Sequence, residues 1–190
     1  MSKSHSDKKR DTTLFFGGRS VIYRIKEINM ESLTQPGLFV KMVVAEWDKQ
    51  NNNFNKFLSS ITDQQLLNEI APGKNTGIYL VGHLIAISDS MLPLLAFGEN
   101  LFPALENVFI TKPDKSGLEM PSVAELKEQL KAVNAELSQH IRSTSPEDWF
   151  KRHTAVLDED FAKEPHRNKL NVVINRSNHM SYHLGQLILL

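Results

Sequence analysis

The chain of 190 residues is 41% hydrophobic and 23% charged, with 22 basic side chains against 22 acidic ones. That size suits one domain with its own core, and the even charge offers no field for phosphate backbones or anionic lipid, so neither nucleic acid nor membrane is expected as a partner. The absence of cysteine excludes disulfides, thiolate metal ligands and a cysteine nucleophile; with no apolar signal core after Lys8, Lys9 and Arg10, it fits a cytoplasmic protein.

Residues 1–29 differ in character from the rest of the chain. "MSKSHSDKKRD" is polar and charged, and "LFFGGRSVIYRIKEIN" is short and broken by Gly17 and Gly18. The reading is a disordered or irregular extension, with Met30 a candidate start for a single domain over 30–190. From Gly37 onward the pattern is helical. Phe39, Val43, Glu46/Trp47, Phe54, Phe57, Leu58 and Ile61 recur at three-to-four spacing, which predicts one buried stripe. Thr62-Asp63 marks a stop and restart, with Asp63 placed to cap "QQLLNEI". Pro72-Gly73 marks a loop.

A second helix is predicted from Asn75 or Thr76 to about Phe97, kinked or ended by Pro93. Its stretch Gly77–Phe97 is long enough to cross a bilayer. His83, Ser88, Asp89, Ser90 and Pro93 interrupt it, so a central helix of a soluble bundle is the better reading. "GENLFPALENVFITKPDKSGLEMP" reads as a long connection. Ser122 and Glu125 form a capping box. Behind them, apolar residues at 123, 126, 130, 133, 137 and 141 predict a regular amphipathic helix. "STSPEDWF" suggests a short turn, "KRHTAVLDEDFAKEPHR" a polar loop, and a last helix runs from about Lys169 to the end. Four long helices, no convincing strand and two long connections predict an all-α four-helix bundle with crossovers.

The chemistry concentrates in "NHMSYHLGQ", Asn178 to Gln186. His179 and His183 are four apart, so a helix presents both on one face, in reach of one metal ion. Counting along the helix places Val172, Arg176, His179, His183, Gln186 and Leu190 on the inward stripe. Polar residues on a core stripe need partners, and a metal would satisfy two at once. Spacing alone leaves open that the pair sits at a wet edge of the bundle. A zincin is excluded because Met180, not Glu, follows His179, and a ferritin-like site is excluded because no Glu-x-x-His pair occurs. His83, in the most apolar segment, is the candidate third ligand. Asp89 competes with it as a third ligand, with an acceptor behind the site or a surface charge as the alternatives. Gly82 would let a neighbouring backbone come close. His5, His140, His153 and His166 are expected to be solvated. Gln186 is the expected group behind the ligands, and Tyr182 a packing residue.

These residues resemble a known family. "GHL" at Gly82–Leu84 and "HMSYHLGQ" at His179–Gln186, with Trp47 in a first helix and "PGKN" leading into the second, are similar to the DinB/YfiT-like superfamily over roughly 38–190. The resemblance implies a four-helix bundle in up-down-down-up order and three metal-binding histidines, here His83, His179 and His183. It implies a homodimer and a metal-dependent enzyme, with thiol-dependent transferases and metal-dependent hydrolases among its members. The leading expectation is an open divalent-metal site, zinc or nickel first and iron or manganese next, transferring or adding a low-molecular-weight thiol to an electrophilic small molecule. The alternatives are a hydrolase using metal-bound hydroxide, and a bundle that binds a metal or small molecule without catalysis. No general base is visible in the sequence.

Overall fold

A computed structural model describes residues 12–16, 19–23 and 35–190, in two compact units divided between residues 34 and 35. The first unit contains an antiparallel ribbon of β1 (Thr12–Phe16) and β2 (Arg19–Tyr23), with Phe16 paired to Arg19 and Thr12 to Tyr23. The irregular lead expected over 1–29 therefore contains a pair of strands. They are rich in Thr, Phe, Val, Ile and Tyr, residues that favour strands. Met30, and the boundary expected there, lie outside the described residues.

The second unit is all-α. It comprises α1 (Gln35–Ser60), α2 (Asp63–Leu66), α3 (Gly77–Asp89), α4 (Met91–Leu94), α5 (Ala104–Glu106), α6 (Val123–Ser143), α7 (Asp158–Lys163) and α8 (Lys169–Leu187). The long helices are α1, α3, α6 and α8. Helix α1 packs on α8, and α3 packs on both α6 and α8. Trp47, Phe54, Leu80, Ile85, Phe109, Leu126, Leu137 and Trp149 fill the core between them.

Local rules set most of the boundaries. Thr62 caps α2, not Asp63, because Gln65 at the third helical position returns the hydrogen bond and completes a capping box. Ser122 and Glu125 do the same for α6, whose Val123, Leu126, Leu130, Val133, Leu137 and Ile141 are all buried. Thr76 caps α3. Asp114 accepts from the Thr76 backbone N–H at 2.6 Å and from its hydroxyl at 2.9 Å, which brings the 112–120 loop and a negative charge to that helix start.

Helix α3 ends at Asp89, before Phe97. A proline cannot bond to, and clashes with, the carbonyl four residues back, and four residues before Pro93 is Asp89. The chain turns at Ser90 and continues as α4. Every residue of α3 except His83 and Ile87 is buried, as expected of a central helix.

Three details differ from the sequence reading. On α1 the buried line is Val40, Val43, Trp47, Gln50, Phe54 and Leu58, while Phe39 is 47% exposed. The stretch read as connection after Gly98 holds α5 and, directly after it, a wide π-helical turn over Asn107–Thr111. The stretch read as polar loop near Asp160 holds α7. At the C-terminus, Leu187 is fully buried and Leu190 packs at the start of α3 beside Gly77. Ile188 and Leu189 stay about two-thirds exposed.

Candidate metal centre

Helix α8 buries Leu170, Val172, Val173, Ser177, Met180, Leu184 and Leu187. Of the stripe expected to face inward, Val172 is buried as expected, but the core stripe is the row Leu170, Val173, Ser177, Met180, Leu184 and Leu187. Arg176, His179, His183 and Gln186 form the next row round the helix and are half-buried. The offset corrects the sequence reading and resolves the difficulty it raised. Polar side chains stand at the margin of the core, on ground that a ligand can reach, and no core stripe has to absorb them.

His83 projects from α3 toward this row. Its Nε2 lies 3.2 Å from His179 Nε2, which is 3.0 Å from His183 Nε2. The three rings are the one group of His, Cys, Asp or Glu among the described residues whose ligand atoms all lie within 4.8 Å of one another. They meet edge to face, with centroids 4.5 to 5.1 Å apart.

The protons can be assigned from the partners. His83 Nδ1–H donates to the Phe109 carbonyl at 2.7 Å. His183 Nδ1–H donates to Gln186 Oε1 at 2.7 Å, and Gln186 Nε2 donates in turn to the Tyr182 hydroxyl at 3.3 Å. A neutral ring with its proton on Nδ1 has a bare lone pair on Nε2. Two such lone pairs face His179 Nε2, which has at most one proton to offer. Bringing bare nitrogens together is unfavourable unless a cation lies between them. His179 Nδ1 is buried without a protein partner.

Burial, first of all, lowers the pKa of His83, of His179 and of His183. The hydrogen bonds to Phe109 and Gln186 partly offset it for His83 and His183; His179 has no such offset, neighbouring charge adds to its burial, and it falls to about 4. Neutral imidazole is the metal-ligating form. Tetrahedral zinc with bonds of about 2.0–2.1 Å sets its nitrogens about 3.3 Å apart, close to the separations seen. The residues present therefore fit a divalent ion, with Phe109 and Gln186 as the outer partners that orient ligating imidazoles.

The neighbouring fold positions these groups. A Cβ on Gly82 would collide with the Phe109 ring. Glycine at 82 thus admits a side chain, where the sequence reading foresaw a backbone. With that ring seated on α3, the Phe109 carbonyl reaches His83. Tyr79 stacks near His83 and donates to the Lys112 carbonyl at 2.8 Å, holding the same turn. Phe109 is the functional residue that sequence reasoning missed. A faint signal existed: Pro103 ahead of Leu105, Val108 and Phe109 at helical spacing.

Asp89 is elsewhere. It is buried and accepts from the backbone N–H groups of Leu101 and Phe102, both at 2.9 Å, so it secures the loop after α4. Tyr182 is exposed, with its ring edge-on to His183. Asn178 is exposed. His140 is half-buried, pairs with Glu136 and stacks on Phe97. His153 is half-buried and His166 exposed. None of these three joins the cluster, and His5 lies outside the described residues.

Comparison with known proteins agrees with the fold. A family model described as the DinB superfamily matches residues 46–187. Among solved structures, the chain is similar to a conserved protein of Enterococcus faecalis known from its crystal structure. The TM-score is 0.56 at 15% identity, over 78% of this chain and 92% of that one. At that identity the likeness speaks for the fold alone. No curated protein matches the chain.

Proposed function

This chain belongs to the DinB superfamily, and from that premise we propose that it is a divalent-metal-dependent enzyme that transfers or adds a small external thiol to an electrophilic carbon. One observation carries the reading: three neutral imidazoles converge through Nε2, two of them locked by acceptors at Nδ1. A divalent ion held by His83, His179 and His183 would supply Lewis acidity, lowering the pKa of a thiol brought to it. Zinc or nickel suits three imidazoles best in this reading, with iron or manganese next.

The sulfur must come from a ligand, because the chain has no cysteine. Its lone pair forms the new C–S bond. In a transfer the displaced group leaves with the electron pair of its bond to carbon and the thiol proton passes to solvent; in an addition the acceptor's π pair shifts onto its neighbouring atom, which takes up the thiol proton. Phe109 and Gln186 keep the rings in one orientation throughout. The cluster holds no Asp or Glu among the described residues. That favours thiol transfer over hydrolysis, since a thiol with pKa about 8.5 needs far less help to ionise than water at about 15.7.

The test begins with metal analysis of wild type, His83→Ala and His179→Ala, purified without chelators. About one metal per chain in wild type, lost in both variants, is expected. A wild type that neither carries nor binds a divalent ion sinks the reading. Thiol consumption with a chlorinated aromatic electrophile, with and without the metal, then separates transfer from plain binding.

A further inference from the structure

Arg176 stands three residues before His179 on the row that carries His179 and His183, so all three side chains share one face of α8. Among the described residues its side chain makes no hydrogen bond and no ion pair, and its Nε is buried without a partner. Its positive charge reaches across to α3, acting on His83 as well as on His179. No carboxylate of the described residues pairs with Arg176 or with any of the three rings. The one ion pair of a described histidine joins His140 to Glu136, away from this cluster.

Such an arrangement is costly as it stands. A half-buried guanidinium gives up hydration and normally recovers it from a carboxylate or a carbonyl. Here it is set beside a cluster suited to a dication, so its charge opposes the ion that the histidines would hold. Arg176 does not serve packing alone, because an aliphatic residue would fill the row without the charge. The partner it lacks among the described residues is an anion.

We propose that Arg176 is a specificity-determining residue that receives a carboxylate of the small molecule bound at the three histidines. This rests on the metal reading given above. The expected ligand carries its reactive group toward His83, His179 and His183 and a carboxylate a few atoms away, on the Arg176 side. A single guanidinium matches a monoanion, which it binds through two parallel N–H donors. A phosphate dianion calls for more positive donors than this face provides.

Calorimetric titration of the zinc-loaded full chain tests it with two probe pairs that differ in charge and little else. The pairs are mercaptoacetate against mercaptoacetamide and glycolate against glycolamide. Wild type is expected to prefer each acid over its amide by about tenfold or more, and R176Q to shrink that preference to within about threefold. Amide affinity and zinc content should be unchanged in R176Q. Where R176Q does not fold, R176K serves: it retains the charge without the fork and should show an intermediate preference. A zinc-loaded wild type without preference, or a preference that survives intact in the variant, overturns the proposal. A wild type that binds neither zinc nor any other divalent ion overturns the metal reading and this proposal with it. A preference dependent on Arg176 for glycolate but not for mercaptoacetate supports the carboxylate assignment and removes the thiol.

Discussion

At the scale of single residues, the site depends on which nitrogen of each ring carries the proton. Phe109 and Gln186 place it on Nδ1 of His83 and His183, so the lone pairs face inward before any ligand arrives. His179 lacks such an acceptor, and burial, with neighbouring charge, lowers its pKa to about 4 from the usual 6.5. That difference sets the sign of the pH dependence. The folded state resists protonating His179, while the unfolded chain takes a proton near 6.5. The contribution of His179 to the stability of the metal-free protein is therefore fully present above about pH 6.5 and is lost as pH falls through about 4. Melting temperatures of chelator-treated protein should decline over that window, and less steeply in His179→Gln. Equal slopes for the two proteins would contradict the assignment. His179 and His183 were legible from a four-residue spacing, and His83 from its isolation in an apolar helix. Phe109 was not legible, because a backbone carbonyl has no side-chain signature.

At the scale of elements, the helices obey rules that one sequence carries. Capping boxes at Thr62 and Ser122 start α2 and α6, and Pro93 determines where α3 must stop. What local rules left open is how the 98–121 connection folds back. Gly82 decides part of that by admitting the Phe109 ring against α3. Gly82→Ala should push Phe109 away, destabilise the fold by about 1–3 kcal/mol as overpacking does, and loosen the acceptor behind His83. Denaturant unfolding reads the first effect and zinc affinity the second. Unchanged zinc affinity in a folded Gly82→Ala protein would show that the Phe109 carbonyl does not tune the site.

At the scale of the whole helical unit, the three histidines join α3 to α8, and the terminal Leu187 and Leu190 tie the end of α8 back to the bundle. An ion held there cross-links two long helices that are far apart in the chain. Metal at a hundred times its dissociation constant adds about 2.7 kcal/mol to the native state by mass action, which is about 5–10 °C in melting temperature for a domain of this size. Scanning calorimetry with and without zinc checks the rise. It should vanish in His83→Ala, which removes the contribution of α3 while leaving the α8 pair intact.

The sequence by itself determined the helix content, most helix starts, and the identity of the three histidines. Each of those rests on spacing along one segment, which a helix converts directly into a shared face. Only the tertiary structure decided that the polar row of α8 lies beside the core stripe, one residue out of step with it. A hydrophobic pattern reports the period of a helix more firmly than its rotation, and the rotation is set by what packs against it. The same packing put Asp89 under a loop, brought the Phe109 carbonyl to His83, and left Arg176 near the cluster with no acid among the described residues to answer it.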